Sequence, residues 1–201
     1  MSDRLILLDL GGVLIEVVSA QRLAVLMDPP VTAEEAAKRW SHSKYLALFE
    51  SGRCSRDEFA EGVVRELHLS IPPDAFMDEF DLFLRGFYPG AEALLQKLAR
   101  SRHTLACLTD TNCSQWASLC KRLSIDQYFQ HCLLSYQIGR QKPDAKVYQS
   151  VIRSLSCSPE KIVYFDDREA NVQAGLRAGM ESYRVDGVCS LEQKLMDLNL
   201  L

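Results

Sequence analysis

The sequence predicts an α/β fold, a doubly wound parallel sheet with an inserted helical segment, and three observations carry that reading. Short runs rich in Leu, Ile and Val alternate with stretches of helical period, polar residues follow directly on the apolar runs, and residues 19–87 hold helical patterns with no strand-like run. Strands that are apolar along their whole length are covered on both faces, as in parallel sheets packed between helices.

Taken in order, strands are expected at Leu5–Leu8, Thr104–Leu108, Cys132–Ser135, Lys161–Phe165 and Ser182–Val185. Covering helices are expected at Ala91–Arg100, where Leu94, Leu95 and Leu98 share a face, and at Ser114–Leu123, Ala145–Leu155, Ala170–Ala178 and Leu191–Leu198. Gly179 is a C-terminal stop for the fourth of these. Within 19–87, helices are expected at Ala33–Phe49, Arg56–Leu67 and Pro73–Arg85. Ser55 with Glu58 makes a capping box for the second, and Pro72-Pro73 breaks the chain before the third. Pro89-Gly90 marks the return to the sheet. The expected division is therefore an α/β core of residues 1–18 and 88–201 and a small helical insert of residues 19–87, joined by two short connections.

At 201 residues, 47% hydrophobic and 25% charged, the chain can bury one full core. A formal charge of -4 with no basic stripe argues against nucleic acid as a partner. Seven cysteines without a Cys-x-x-Cys pair fit reduced thiols in the cytoplasm better than a disulfide or zinc framework. The early apolar runs, Leu5–Leu8 and Val13–Val18, are broken by Asp9, Gly11-Gly12 and Glu16, too short for a signal core or a membrane span. No membrane partner is expected. His42, His68, His103 and His131 form no recognisable dyad or metal pattern.

In an open parallel sheet, ligands bind beyond the carboxyl ends of the strands, and four groups of residues fall there. Asp9 follows the first strand and precedes Gly11-Gly12, which permits a tight turn and close backbone approach. Thr109 opens Thr109-Asp110-Thr111-Asn112, where hydroxyls and free N–H groups suit an anion, although helix capping explains the same residues. Lys142 stands before Pro143, which is expected in the first turn of the next helix. Asp166-Asp167 ends the fourth strand. Two such carboxylates about 4 Å apart repel by roughly 4 kcal/mol at an effective dielectric near 20, so they invite a cation or a proton. With Asp9 beside them, the oxygen-rich setting favours magnesium over zinc.

These segments resemble, in order and context, the four motifs of the haloacid dehalogenase superfamily of aspartate-nucleophile phosphatases. Asp9-Leu10-Gly11-Gly12-Val13-Leu14 is similar to the first motif and Leu108-Thr109-Asp110-Thr111-Asn112 to the second. Lys142-Pro143-Asp144 is similar to the third, and Phe165-Asp166-Asp167 with Asn171 to the fourth. The resemblance implies a Rossmann-like core and makes the insert a cap domain, with Phe49-Glu50-Ser51-Gly52-Arg53-Cys54-Ser55 as its substrate-specificity loop. It also implies a Mg²⁺-dependent phosphatase acting on small phosphorylated metabolites, with sugar phosphates expected from the nearest subgroup.

Carried over by position, Asp9 attacks phosphorus, and Asp9, the Gly11 carbonyl, Asp166 and Asp167 surround the metal. Thr109, Asp110 and Lys142 hold the phosphoryl group, and Glu50 and Gly52 face the substrate. Two residues depart from the pattern. Gly11 replaces a second Asp that acts as general acid and base in most of these phosphatases, a role commonly worth about 10²–10⁴-fold. Asp110 stands where Asn or Gly is more usual. Glu16 and Glu50 are the candidates to supply the missing proton transfer. Two other readings remain at this level: a metal-independent 2-haloacid dehalogenase, and a catalytically weak phosphometabolite-binding protein.

Overall fold

Residues 3–201 are described in a computed structural model. The chain opens with β1 (Leu5–Leu8) and β2 (Ile15–Val17). It then runs through α1 (Ser19–Leu26), α2 (Ala33–Ser41), α3 (Lys44–Glu50), α4 (Arg56–Glu66) and α5 (Pro73–Asp81) to β3 (Leu84–Phe87). It continues as α6 (Ala91–Ala99), β4 (Thr104–Thr109), α7 (Cys113–Leu123), β5 (His131–Leu134), α8 (Ser135–Ile138) and α9 (Ala145–Leu155). The last elements are β6 (Ile162–Asp166), α10 (Glu169–Arg177), β7 (Glu181–Arg184) and α11 (Gly187–Asp197).

Five strands form a parallel sheet in the order β5-β4-β1-β6-β7. Successive side chains of a strand point to opposite faces, and β1 shows the consequence. Ile6 and Leu8 join the core under α6, α7 and α11, with Leu94, Leu95, Leu119 and Leu191. Leu5 and Leu7 join the opposite core under α9 and α10, with Val147, Tyr148, Val151 and Ala174. Burial on both sides is why these strands read as unbroken apolar runs.

Helices α1 to α5 gather round their own core, in which Phe49 stacks on Phe59 with ring centroids 4.3 Å apart and Phe76, Phe80 and Phe83 complete an aromatic cluster. The capping box is present: Ser55 accepts from Glu58 N, and Glu58 accepts from Ser55 N. No helix among the described residues is long and apolar enough to cross a membrane.

Local structure differs from expectation where tertiary pairing decides it. The expected helix Ala33–Phe49 is two helices, because Ser43 turns extended and its hydroxyl accepts from Leu46 N (3.2 Å), capping α3. The expected helix to Arg85 stops at Asp81, and Leu84–Phe87 becomes β3, paired antiparallel with β2 through Glu16↔Gly86. The stretch 19–87 is thus not free of strand. Helix α1 was not expected, and α11 starts at Gly187 rather than Leu191.

Helix α10 lies on β6 and β7 through Gly175. A Cβ there would stand 2.8 Å from Tyr164 Cδ1 and 2.5 Å from Ser182 Oγ. Tyr164 is fully buried and cannot yield. Gly175→Ala is expected to lower stability by about 1–3 kcal/mol, the usual cost of overpacking, as a leftward shift of the urea midpoint.

Candidate active site

The sheet register brings the acidic residues to one edge. Leu8 is opposite Cys107 on β4 and Phe165 on β6, so the next residues, Asp9, Leu108 and Asp166, lie level across the three central strands. From β1 the chain runs outward through β4 and β5 on one side and then crosses back to β6 and β7 on the other, the kind of switch point where α/β sheets bind ligands.

Lys142 joins these strand ends. Its Nζ lies 2.9 Å from Asp9 Oδ1 and 2.8 Å from Asp166 Oδ2, and donates to Leu108 O at 3.1 Å. Burial disfavours the ammonium, but the carboxylates of Asp9, Asp166 and Asp110 outweigh it and hold Lys142 protonated well above its usual range. Pro143 does not occupy the first turn of the next helix. Asp144 caps α9 by accepting from Lys146 N (2.9 Å), and Pro143 precedes that cap.

Asp9, Asp166 and Asp167 each offer a carboxylate oxygen within 4.8 Å of the others. Their environments differ. Asp166 accepts from Arg168 N (2.9 Å) and Asn171 Nδ2 (2.9 Å) at Oδ1, and from Lys142 and the Tyr164 hydroxyl at Oδ2. Burial pushes its carboxyl up, yet Lys142 and the other donors prevail and hold it below the ordinary value. On Asp9, Oδ1 accepts from Leu10 N (2.7 Å) besides Lys142, while Oδ2 has no donor among the described residues. Burial raises the Asp9 carboxyl to about 8 against the pull of Lys142, with the charges of Asp166 and Asp167 adding to the rise. Asp167 is raised by burial and by Asp166. Asn171 Oδ1 is buried without a partner although its Nδ2 is engaged. A divalent cation with its shell of water answers these features together: free carboxylate oxygens, raised carboxyl pKa values and an orphaned amide oxygen.

The cluster opens into a cavity of about 450 Å³, lined at its polar end by Asp9, Gly11, Thr109, Asp110, Lys142 and Asp167. Gly12 has φ +76°, and a Cβ on it would fall 2.5 Å from Asp167 Oδ2, so only glycine lets this carboxylate sit there. Thr109 ends β4, buried, with no protein partner for its hydroxyl among the described residues. Asp110 Oδ1 accepts from Lys142 N (3.0 Å), which ties its side chain to the lysine loop; burial raises its pKa and Lys142 opposes the rise.

Glu50, at the end of α3, lines the cavity from the helical side. Trp40 does so too, while its ring packs 5.7 Å from Phe83, so it serves both the core of the insert and the cavity wall. Two expected residues are not brought in. Gly52 lies outside the lining, in a turn whose φ of +65° and contact with the Tyr136 carbonyl require glycine. Glu16 points from β2 to Arg85 (3.1 Å), away from the cavity.

Four residues of the site were missed. Tyr164 and Gln141 hold Asp166 and Glu50 through side-chain hydrogen bonds, Ser135 braces the loop after β4, and Arg168 lines the cavity without a carboxylate partner among the described residues. Only Arg168 had a visible signal, its place directly after Asp166-Asp167.

The sequence matches the haloacid dehalogenase-like hydrolase family over residues 76–185, more than half of the chain. Among curated relatives, a phosphorylated carbohydrates phosphatase of Thermotoga maritima is 33% identical over 100 residues, covering 50% of this chain and 45% of that protein. The chain spans about half the length of the curated relatives of this kind. A D-ribitol-5-phosphate phosphatase of Bacteroides thetaiotaomicron is 24% identical over 204 residues, covering 94% of this chain and 95% of that one. Among solved structures, a HAD family enzyme from Bacteroides thetaiotaomicron, in complex with magnesium and inorganic phosphate, superposes with a TM-score of 0.76 at 21% identity. That match covers 92% of this chain and 94% of that one.

Proposed function

Because the chain belongs to the haloacid dehalogenase-like hydrolases, we propose that it is a magnesium-dependent phosphatase that hydrolyses small phosphate monoesters, sugar phosphates first among them, through an aspartyl-phosphate on Asp9. The observation that carries this reading is the convergence of Asp9, Asp166 and Asp167 around one point with Lys142 bridging the first two. Curated relatives named for phosphorylated carbohydrates and for ribitol phosphate support the substrate class. The solved relative bound to magnesium and phosphate supports the metal.

Asp9, Asp167 and the Gly11 carbonyl would hold the ion, with Asp166 behind them fixing Lys142. The ion supplies positive charge to the nucleophile and to the phosphoryl oxygens. Lys142 favours the ionised form of Asp9 against the effect of burial and neutralises charge on the transferring group. Thr109 presents a free hydroxyl to a phosphoryl oxygen, and Asp110 positions the lysine loop. Phosphoryl transfer needs mainly such positioning and electrostatic stabilisation. Glu50 and Trp40 face the rest of the substrate. The cysteines, none of them in a disulfide, fit a reducing cytoplasm.

The test is a metal-controlled assay of phosphate esters, sugar phosphates included, beside 2-chloropropionate. Phosphate release that needs magnesium is the expected result. Metal-free chloride release would select the dehalogenase, and ester binding without turnover would select a binding protein.

A further inference from the structure

The phosphatase reading leaves a proton unassigned: the departing alcohol must gain one, and Gly11 offers no side chain to give it. Resting on that reading, we infer that Glu50 is the proton donor to the leaving-group oxygen and then the proton acceptor from the attacking water.

The geometry fixes Glu50 to the loop after β4. Ser135 Oγ lies 2.6 Å from the Glu50 carbonyl oxygen and 2.9 Å from that of Thr111, sharing its single proton between them, and accepts from Thr111 N at 2.8 Å. The end of α3 is therefore held against the segment that begins at Thr109. Its side chain is polarised in one sense only. Gln141 Nε2 donates to Oε2, while Oε1 has no hydrogen-bond partner among the described residues, and Glu50 lines the cavity. Because Oε2 accepts from the amide, a proton on this carboxyl is favoured on Oε1.

The charged groups facing Glu50 are Asp110, Lys142 and Arg168. Burial first, then the charge of Asp110, raises Glu50 to about 8, while the Gln141 bond, Arg168 and Lys142 pull less strongly the other way. The group is thus an acid at neutral pH with a pKa near the working range, where general acid catalysis is most efficient. Of the other lining carboxyls, Asp186, the residue before α11, is exposed to solvent rather than buried in the cavity. Asp110 is engaged by Lys142 N, and Asp9 and Asp167 face the cation position.

The step balances. As the Asp9 oxygen–phosphorus bond forms and the ester P–O bond breaks, the Glu50 proton passes to the leaving oxygen, releasing a neutral alcohol and leaving Glu50 ionised. In the second half, Glu50 takes a proton from water as that water attacks phosphorus. Asp9 leaves as carboxylate, inorganic phosphate departs, and Glu50 is protonated again.

The experiment compares wild type and Glu50→Gln on glycerol phosphate, whose alkoxide is a poor leaving group, and on p-nitrophenyl phosphate, whose phenolate needs no proton. In saturating magnesium, kcat/KM for the alkyl ester is expected to fall about 10²–10³-fold and that for the aryl ester less than about tenfold. The wild-type alkyl profile should decline on the alkaline side as Glu50 loses its proton, a limb absent from the variant. Without metal, the infrared difference between the two proteins at pH 6 should contain the carbonyl band of a protonated carboxylic acid. Equal losses on both esters, an unchanged alkaline limb, or a carboxylate band in that difference overturns the assignment. If wild type hydrolyses the aryl ester with magnesium, such a result removes Glu50 alone. If wild type hydrolyses neither ester, the phosphatase reading falls and takes this one with it.

Discussion

Asp9→Asn is expected to abolish phosphate release while leaving the protein folded, a loss on the order of 10⁴–10⁶-fold, as when a covalent nucleophile is removed. Asparagine keeps the shape and can still accept from Leu10 N and Lys142 Nζ at its amide oxygen, but it cannot form the acyl phosphate. Removing the charge should not harm the fold. In the metal-free protein Asp9 is a strained acid, raised by burial to about 8 from the ordinary 3.8. A carboxyl with a raised folded pKa binds its proton more tightly when folded, so its contribution is full below the unfolded value and is lost as pH rises through the folded one. Metal-free wild type should therefore lose stability on going from about pH 4 to about pH 8, and Asp9→Asn should flatten that fall, read as urea midpoints across the range. Magnesium should stabilise wild type more than the variant, because one carboxylate at the cation position is gone. A variant that retains even a few per cent of the wild-type rate would remove Asp9 from the nucleophile's role.

The residues most legible in the sequence were those whose meaning is local. Asp9, Thr109 and Asp166 end strands or directly follow them, and a parallel sheet delivers such positions to one edge whatever happens elsewhere. Ser55 and Glu58 form a capping box within four residues, so no tertiary context was needed. Helix α1 had no such signal: its N-cap is Val18, with no side-chain cap, and its first turn has no acidic residue. The strand β3 is invisible locally because its partner β2 is distant in sequence and its four residues include Gly86 at φ +146°. The site shows the same division. Lys142 could be named from its motif, but that it lies between two carboxylates, with Asp166 also held by Tyr164 and Asn171, is a fact of packing. Gly52 lies outside the cavity lining for the converse reason. Its place in a recognisable loop suggested a contact with substrate, whereas its backbone is needed for a turn against the Tyr136 carbonyl.

Lys142→Met should damage both folding and turnover, and the relation between the two losses is what tests the role given to this lysine. Methionine fills much of the same volume, so the change isolates the ammonium. Its removal leaves Asp9 Oδ1, Asp166 Oδ2 and the Leu108 carbonyl without the cation they share, and breaking a buried ion pair from one side commonly costs about 3–5 kcal/mol. Protonation of Asp9 would recover part of that, so the metal-free variant should be least disadvantaged at low pH and most at high pH. A cation at Asp9 and Asp167 would stand in for part of the missing charge. Magnesium should accordingly raise the melting temperature of the variant more than that of wild type. Turnover should not recover in parallel if, as proposed, the ammonium also neutralises the phosphoryl group, and a loss of roughly 10²–10³-fold is then expected at saturating magnesium. Lys142→Arg should rescue little, since a planar guanidinium cannot place one nitrogen within reach of three acceptors arranged for an ammonium. A methionine variant with wild-type metal-free stability and turnover within tenfold of wild type would show that the buried lysine neither balances the carboxylates nor assists the transfer.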